Sequence, residues 1–244
     1  MSGNANDTGS TTVTLKINGM EVRVPQGTTL WEAARVAGVE IPTLCHSPGM
    51  RPVGVCRLCV VDVGERVLAA ACVRQAAEGM EAHTDTPEIQ RHQRTLLALL
   101  LADYPTMSAR DDATGDDELL NLARRLGVTD IPYPEDTGEN TGEDTAENIA
   151  DKTAKPRDES SPVILVDHAA CILCDRCIRA CDEVQHNHVI GRTGKGHTAR
   201  IAFDLDSPMG QSSCVSCGEC MAACPTGALT DRTLQGLRLK PMAD

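Results

Sequence analysis

The sequence predicts an α+β chain in which two small cysteine-bearing domains are joined by an acidic stretch, and three features carry that expectation. All twelve cysteines of the 244 residues fall into three sets of four. Apolar residues alternate with polar ones near the start and then switch to helical spacing, the order of strands followed by a helix. Residues 134–161, PEDTGENTGEDTAENIADKTAKPRDESS, are nearly free of apolar side chains. Such a stretch cannot offset its own ordering entropy and reads as a disordered linker.

The first domain is expected over residues 12–84. Val13, Leu15 and Ile17 alternate with polar residues, and Val22 and Val24 do the same after Asn18-Gly19, a hairpin dipeptide. Thr29 and Glu32 are spaced as a capping box before Leu30–Ala37, and Gly38 supplies the stop. Apolar stretches follow at Val60–Val63 and Val67–Val73. Strand, turn, strand and helix, then a cysteine-bearing loop, is the order of a β-grasp domain. The Cys45–Cys59 segment carries Pro48, Gly49, Pro52 and Gly54 and predicts an irregular loop. Gly54 is expected to let backbone amides approach bound sulfur.

A short helical segment is expected over residues 85–133. Pro87 after Thr86 starts a helix that runs through Leu96–Leu101 and stops before Pro105. A second amphipathic helix spans Asp117–Leu126, with Leu119, Leu122 and Leu126 on one side and Gly127 as its stop. Beyond the linker, a C-terminal domain over residues 162–231 opens with a strand at Val163–Val166. A helix at Cys177–Gln185 and a strand at Ile201–Leu205 follow. Gly191–Gly196 resembles a phosphate loop loosely but matches no phosphate-loop spacing, and reads as a turn between strands.

The cysteine spacings carry the chemistry. Cys45, Cys56, Cys59 and Cys72 are written C-x10-C-x2-C-x12-C. Four thiolates in that layout suit a [2Fe-2S] cluster, whose two irons each need two protein sulfurs. Zinc is the rival reading, because a C-x2-C pair also suits a zinc ribbon. His46 beside Cys45 is a spare ligand, but with four cysteines available it reads as a loop residue. The second and third sets, Cys171, Cys174, Cys177, Cys181 and Cys214, Cys217, Cys220, Cys224, are both C-x2-C-x2-C-x3-C. That doubled run is the bacterial two-cluster ferredoxin pattern, in which the fourth cysteine of each run ligates the other cluster. The expected sets are Cys171, Cys174, Cys177 and Cys224 for one [4Fe-4S] centre, and Cys214, Cys217, Cys220 and Cys181 for the other. Pro225 follows Cys224 as the pattern expects, whereas Asp182 follows Cys181.

With one Trp, one Phe and two Tyr, the chain is poor in large core side chains, so metal is expected to hold each domain together as well as to carry charge. A formal net charge of -12 argues against nucleic acid or an anionic membrane as partner. The first residues have neither the basic nor the apolar region of an export signal, and the longest apolar run, Leu96–Ala102, is too short to span a bilayer. Twelve thiols reserved for metal fit a reducing compartment, so a cytoplasmic location without membrane insertion is expected.

Gly54-Val-Cys-Arg-Leu-Cys59 with its flanking Cys45 and Cys72, then Gly79-Met-Glu-Ala-His-Thr84 before a leucine-rich helix, resembles the N-terminal part of the complex I G subunit family. Relatives of that kind include the diaphorase small subunit of NAD-reducing hydrogenases and the N-terminal region of NAD-dependent formate dehydrogenase alpha subunits. The stretches CILCDRCIRACDEVQ and SSCVSCGECMAACPTGAL look most like the formate dehydrogenase version. The resemblance implies a non-catalytic iron-sulfur electron-transfer subunit of an NAD-linked oxidoreductase. Its expected partners are a flavin-containing NADH-oxidising subunit and a hydrogenase or formate dehydrogenase catalytic subunit. A free-standing multi-cluster ferredoxin-like carrier is the alternative, and a redox sensor a more distant one. Family members place a cluster with one histidine and three cysteine ligands after the leucine-rich helix. Here residues 102–109 read ADYPTMSA, with Tyr104 at the histidine position, so that cluster is expected to be absent. The large molybdopterin domain of formate dehydrogenase alpha subunits is also not expected within these 244 residues.

Overall fold

The structure is a computed structural model that describes residues 11–105, 108–128 and 157–234. These form two compact units. The first comprises residues 11–43 and 52–93; the second comprises residues 44–51 and the described residues from 94 onward. The boundaries therefore differ from a simple cut at residue 84. Residues 44–51 group with the C-terminal half, and the helices after Gln93 are integral to it rather than a separate segment.

In the first unit, β1 (Thr12–Ile17) and β2 (Met20–Pro25) pair as an antiparallel hairpin. Asn18 and Gly19 both take positive φ, +50° and +80°, as a tight hairpin whose twist matches its strands requires. The Asn18 side chain also reaches across the sheet and exchanges hydrogen bonds with Thr84, accepting from the amide at 2.9 Å and donating to Oγ1 at 2.7 Å. That pair places the short strand β5 (Glu81–Ala82) parallel to β1, giving the sheet order β2-β1-β5. Helix α1 (Leu30–Val36) begins at the Thr29 capping box and ends at Gly38, φ +72°. Its buried face, with Leu30, Trp31, Ala33 and Ala34, packs into a core with Val13, Leu15, Ile17, Val22, Val24 and Val61. The strands β3 (Val60–Val61) and β4 (Ala69–Ala70) are only two residues each and pair antiparallel.

Helix α2 (Pro87–Ala102) contains the boundary between the units, which falls after Gln93. The second unit continues with α3 (Ala109–Ala113) and α4 (Glu118–Leu126), the latter capped by Asp117 and ended by Gly127 at φ +64°. A three-stranded antiparallel sheet follows in the order β10-β7-β6, built from β6 (Arg157–Asp158), β7 (Ile164–Asp167) and β10 (Leu229–Asp231). Between β7 and β10 lie α5 (Arg176–Arg179), which continues as one π-helical turn over Ala180–Val184, and α6 (Glu219–Ala223). The hairpin of β8 (Ile190–Thr193) and β9 (Arg200–Phe203) also lies between them. Gly191–Gly196 thus supplies part of β8 and the turn that leaves it. Among the described residues no helix is long and apolar enough to cross a membrane.

Most of the expected linker, residues 134–156, lies outside the described residues. Its last five residues, 157–161, are among the described residues. Arg157 and Asp158 form β6 on the edge of β7. Arg157 Nε donates to Asp167 at 2.8 Å, Asp158 accepts from the Met209 amide at 2.6 Å, and Ser160 Oγ accepts from the Gly210 amide at 2.8 Å. Local composition misses this because the partners of Asp158 and Ser160 lie about 50 residues away in sequence.

Tyr104 enters a buried polar network. Its hydroxyl donates to Asp117 Oδ2 at 2.5 Å and accepts from the Gly227 amide at 3.2 Å. Ser108 Oγ donates to the same carboxylate oxygen at 2.6 Å, while Asp117 Oδ1 caps α4 through the Leu120 amide. Burial, then the Asp117 carboxylate, holds the Tyr104 phenol above its ordinary range, so it stays a donor. Gly227 has no room for a side chain, since an added Cβ would lie 2.6 Å from Ser108 Cβ. Glu118 donates its amide to Pro225 O at 2.8 Å and Arg110 Nη1 donates to Cys224 O. Helices α3 and α4 thereby brace the Cys224–Gly227 turn.

Two stability measurements test these assignments. Tyr104→Phe leaves Asp117 and the Gly227 amide each short of a partner, and is expected to cost about 1–3 kcal/mol in the denaturant-induced unfolding of the second unit. A change too small to measure would contradict a buried network. Gly54→Ala should cost about 1–3 kcal/mol in the first unit, because φ is +64° and the new methyl would lie 2.8 Å from Val73 Cγ2. Unchanged stability would show that the loop relaxes freely there.

Candidate metal centres

The first cysteine set is built on the core of the first unit. Cys59 and Cys72 are fully buried among its apolar residues, and their sulfurs lie 3.3 Å apart. Main-chain bonds fix both: the Ala71 amide donates to Cys59 O at 2.9 Å, and α1 donates its first amides, Leu30 and Trp31, to Arg74 O and Ala71 O. A helix N-terminus has spare donors, and here they hold the segment that carries Cys72. Leu58 O, beside Cys59, accepts from the buried Gln93 amide at 3.2 Å. Cys56 is half-buried, with Thr43 Oγ1 at 3.9 Å from its sulfur. The loop between Cys56 and Cys59 turns through Arg57 at φ +58°. Cys45 is fully buried but belongs to the 44–51 segment of the second unit.

The second and third sets occupy the second unit. Cys171, Cys174, Cys177 and Cys224 line one small cavity together with Ile172, Ile201 and Leu229. Cys181, Cys214, Cys217 and Cys220 line another together with Ile164, Val189 and Ile190. Each cavity thus takes three cysteines from one run and the last cysteine of the other. The two loops repeat one backbone form: Leu173 and Asp175 take φ of +53° and +61°, and Ser216 and Gly218 take +54° and +84° at the equivalent positions. A left-handed leucine is costly and persists only where its surroundings impose it. Arg192 imposes part of it, donating to Leu173 O and to the Asp175 carboxylate, each at 2.7 Å. The Val189 and Ser216 amides lie 3.4 Å from the sulfurs of Cys181 and Cys214, contacts that would tune the potential of a cluster held there.

Electrostatics tests whether these sets suit iron-sulfur cores. Burial, then the neighbouring sulfurs of Cys224 and Cys171, raises the Cys174 thiol above its ordinary range. Cys177 is raised by burial and then by Cys174 and Cys224. Cys220 is pushed up to about 12 by burial, then by Cys214 and Cys217. Sulfurs so crowded in a dry site cannot share negative charge unless a positive centre sits among them. A polynuclear iron core supplies that charge, and the all-sulfur donors fit it. Among the described residues no group of three His, Cys, Asp or Glu side chains is placed to hold a metal ion.

Arginines beside the cysteines were not singled out by sequence reasoning. Arg176 and Arg179, both on α5, are 6% and 4% exposed. Arg176 pairs with Glu118 at 2.7 Å and reaches Leu44 O at 3.5 Å. Arg179 donates to main-chain carbonyls, including those of Cys45 and Cys174. Two arginines bracketing Cys177 in an acidic chain were the available signal, but nothing in the spacing says that they are buried.

Residues 10–87 match the model of a 2Fe-2S iron-sulfur cluster binding domain, and residues 161–230 that of the ferredoxin-like domain of NADH-quinone oxidoreductase subunit 3. The NADP-reducing hydrogenase subunit HndD of Solidesulfovibrio fructosivorans is 33% identical over 226 residues, which are 90% of this chain and 36% of that protein. The G subunit of the NADH-quinone oxidoreductase of Mycobacterium tuberculosis is 35% identical over 232 residues, 94% of this chain and 27% of that protein. The chain therefore spans roughly a third or less of these two relatives. A chain in the crystal structure of the NAD+-reducing [NiFe]-hydrogenase in its H2-reduced state superposes with a TM-score of 0.78 at 26% identity, covering 94% of this chain and 91% of that one. Through both cysteine-bearing regions, this chain is similar to the N-terminal iron-sulfur part of the complex I G subunit.

Proposed function

We propose that this chain is a three-cluster electron relay within an NAD-linked oxidoreductase of the hydrogenase, formate dehydrogenase or complex I type. It sits between a flavin-containing NADH-oxidising subunit and a catalytic subunit in the cytoplasm, and it transforms no substrate itself. A β-grasp domain holds one [2Fe-2S] cluster through Cys45, Cys56, Cys59 and Cys72. Cys59 and Cys72 are close enough to share one iron, which leaves Cys45 and Cys56 for the other. Cys171, Cys174, Cys177 and Cys224 hold one [4Fe-4S] cluster, and Cys214, Cys217, Cys220 and Cys181 hold the second. What the clusters supply when bound is one-electron capacity; the chain supplies spacing, dryness and hydrogen bonds.

The observation that carries this reading is the pair of cavities in the second unit, each lined by four cysteines in the crossed combination. A crossed pair places two centres side by side in one small domain, the arrangement that a relay needs and an isolated structural metal does not. All-cysteine ligation leaves each centre without an open coordination position, which argues for electron transfer over substrate chemistry. Shared ancestry with hydrogenase and quinone oxidoreductase subunits supports the NAD-linked setting.

Two substitutions separate the centres. In electron paramagnetic resonance of the reduced, anaerobically prepared chain, Cys59→Ser should abolish the binuclear signal and leave the cubane signals. Cys181→Ser should damage the coupled cubane pair and spare the binuclear signal. A binuclear signal that survives Cys59→Ser, or a cubane pair indifferent to Cys181→Ser, would refute the corresponding ligand set. Co-purification with a flavoprotein and a catalytic subunit, with NADH reducing the clusters, supports the relay; a monomer that no NADH-linked flavoprotein reduces would refute it.

A further inference from the structure

Arg179 is one of the least exposed charged residues in the second unit, at 4%. Its donors go to main-chain carbonyls: Nε to Asp175 O at 3.2 Å, Nη1 to Arg51 O at 2.7 Å, and Nη2 to Cys45 O and, at 3.4 Å, to Cys174 O. Burying a guanidinium is costly unless its N–H groups find acceptors, and here both ends of the 44–51 segment provide them. Glu183, one turn further on, secures the same segment by accepting from the Arg51 amide at 3.0 Å, and its carboxylate lies 3.4 Å from Arg51 Nε. Arg176 reaches Leu44 O from the preceding turn. Residues 44–51 follow the C-terminal half of the chain because this row of side chains on α5 and its π-helical extension grips them.

We propose that Arg179 is a positioning residue for electron transfer: one planar side chain ties the main chain of Cys45 to that of Cys174. The inference rests on the ligand sets proposed above, in which Cys45 serves the binuclear centre and Cys174 a cubane. The link has two consequences. It holds the segment that carries one ligand at a set distance from the loop that carries the other. It also supplies a short hydrogen-bonded route, from the Cys45 carbonyl through the guanidinium to the Cys174 carbonyl. In a transfer along this route one centre is oxidised by one electron and the other reduced by one; no bond breaks and no proton moves. Lysine replaces Arg179 only in part, because a single ammonium lacks the planar fork that spans several carbonyls.

The test uses the full-length, iron-loaded chain and its Arg179→Lys and Arg179→Ala variants. Electron exchange between the binuclear and cubane signals is followed by freeze-quench paramagnetic resonance after partial reduction, and amide hydrogen exchange is followed over residues 44–51. With iron content and all signals retained, Arg179→Ala should slow the exchange of electrons at least about tenfold and Arg179→Lys by less, as loss of orientation does. The amides of 44–51 should exchange hydrogen faster. Electron exchange at the unsubstituted rate, with clusters intact, would overturn the proposal. If Arg179→Ala loses iron, Glu183→Ala loosens only the Arg51 end. It should then slow transfer by a smaller factor, and no change there would equally overturn it. Clusters missing from the unsubstituted chain would instead refute the ligand sets, and this inference with them.

Discussion

Crowding sulfur into a dry interior is the constraint on which this structure depends. Each cavity of the second unit brings four cysteines together, and burial with mutual repulsion raises the thiols of Cys174, Cys177 and Cys220. Thiolates in that setting repel one another at close range and low dielectric, and an inorganic core with positive charge removes the conflict. With the proposed clusters bound, folding and metal loading would be one process in such a domain. The modest apolar core and short strands would then need only to shape two cysteine loops, not stabilise a domain unaided.

The same constraint accounts for the polar groups around the cysteines. Left-handed residues at Leu173, Asp175, Ser216 and Gly218 bend the two loops alike, and Arg192 locks the first of them. Arg110 and the Tyr104–Asp117–Ser108 network brace the Cys224–Gly227 turn from the helical side. Tyr104 there satisfies a buried carboxylate and a main-chain amide, which gives the region a structural role.

Much of this was legible from residues alone. Asn18-Gly19 announced the hairpin, Thr29 with Glu32 the start of α1, and Asp117 with Gly127 the two ends of α4, because turns and caps are written in local chemistry. Each of the two cavities is lined by three cysteines of one run and the last cysteine of the other. What was not legible depends on distant partners. The pairing of β5 with β1 rests on Asn18 and Thr84, which are 66 residues apart. Arg157 and Asp158 look like more of the acidic linker until Asp167 and Met209 are brought to them. The grouping of residues 44–51 with the C-terminal half rests on Arg176, Arg179 and Glu183, far downstream in sequence. No local pattern marks such contacts, since any of those side chains would serve equally well on a solvated surface.

Elemental analysis of the anaerobically prepared full-length chain tests the central claim most directly. The account predicts about ten irons per chain, the sum of one binuclear and two cubane cores, with acid-labile sulfide in equal number and only background zinc. A colourless protein carrying zinc in place of iron, or one with roughly six irons or fewer, would contradict it.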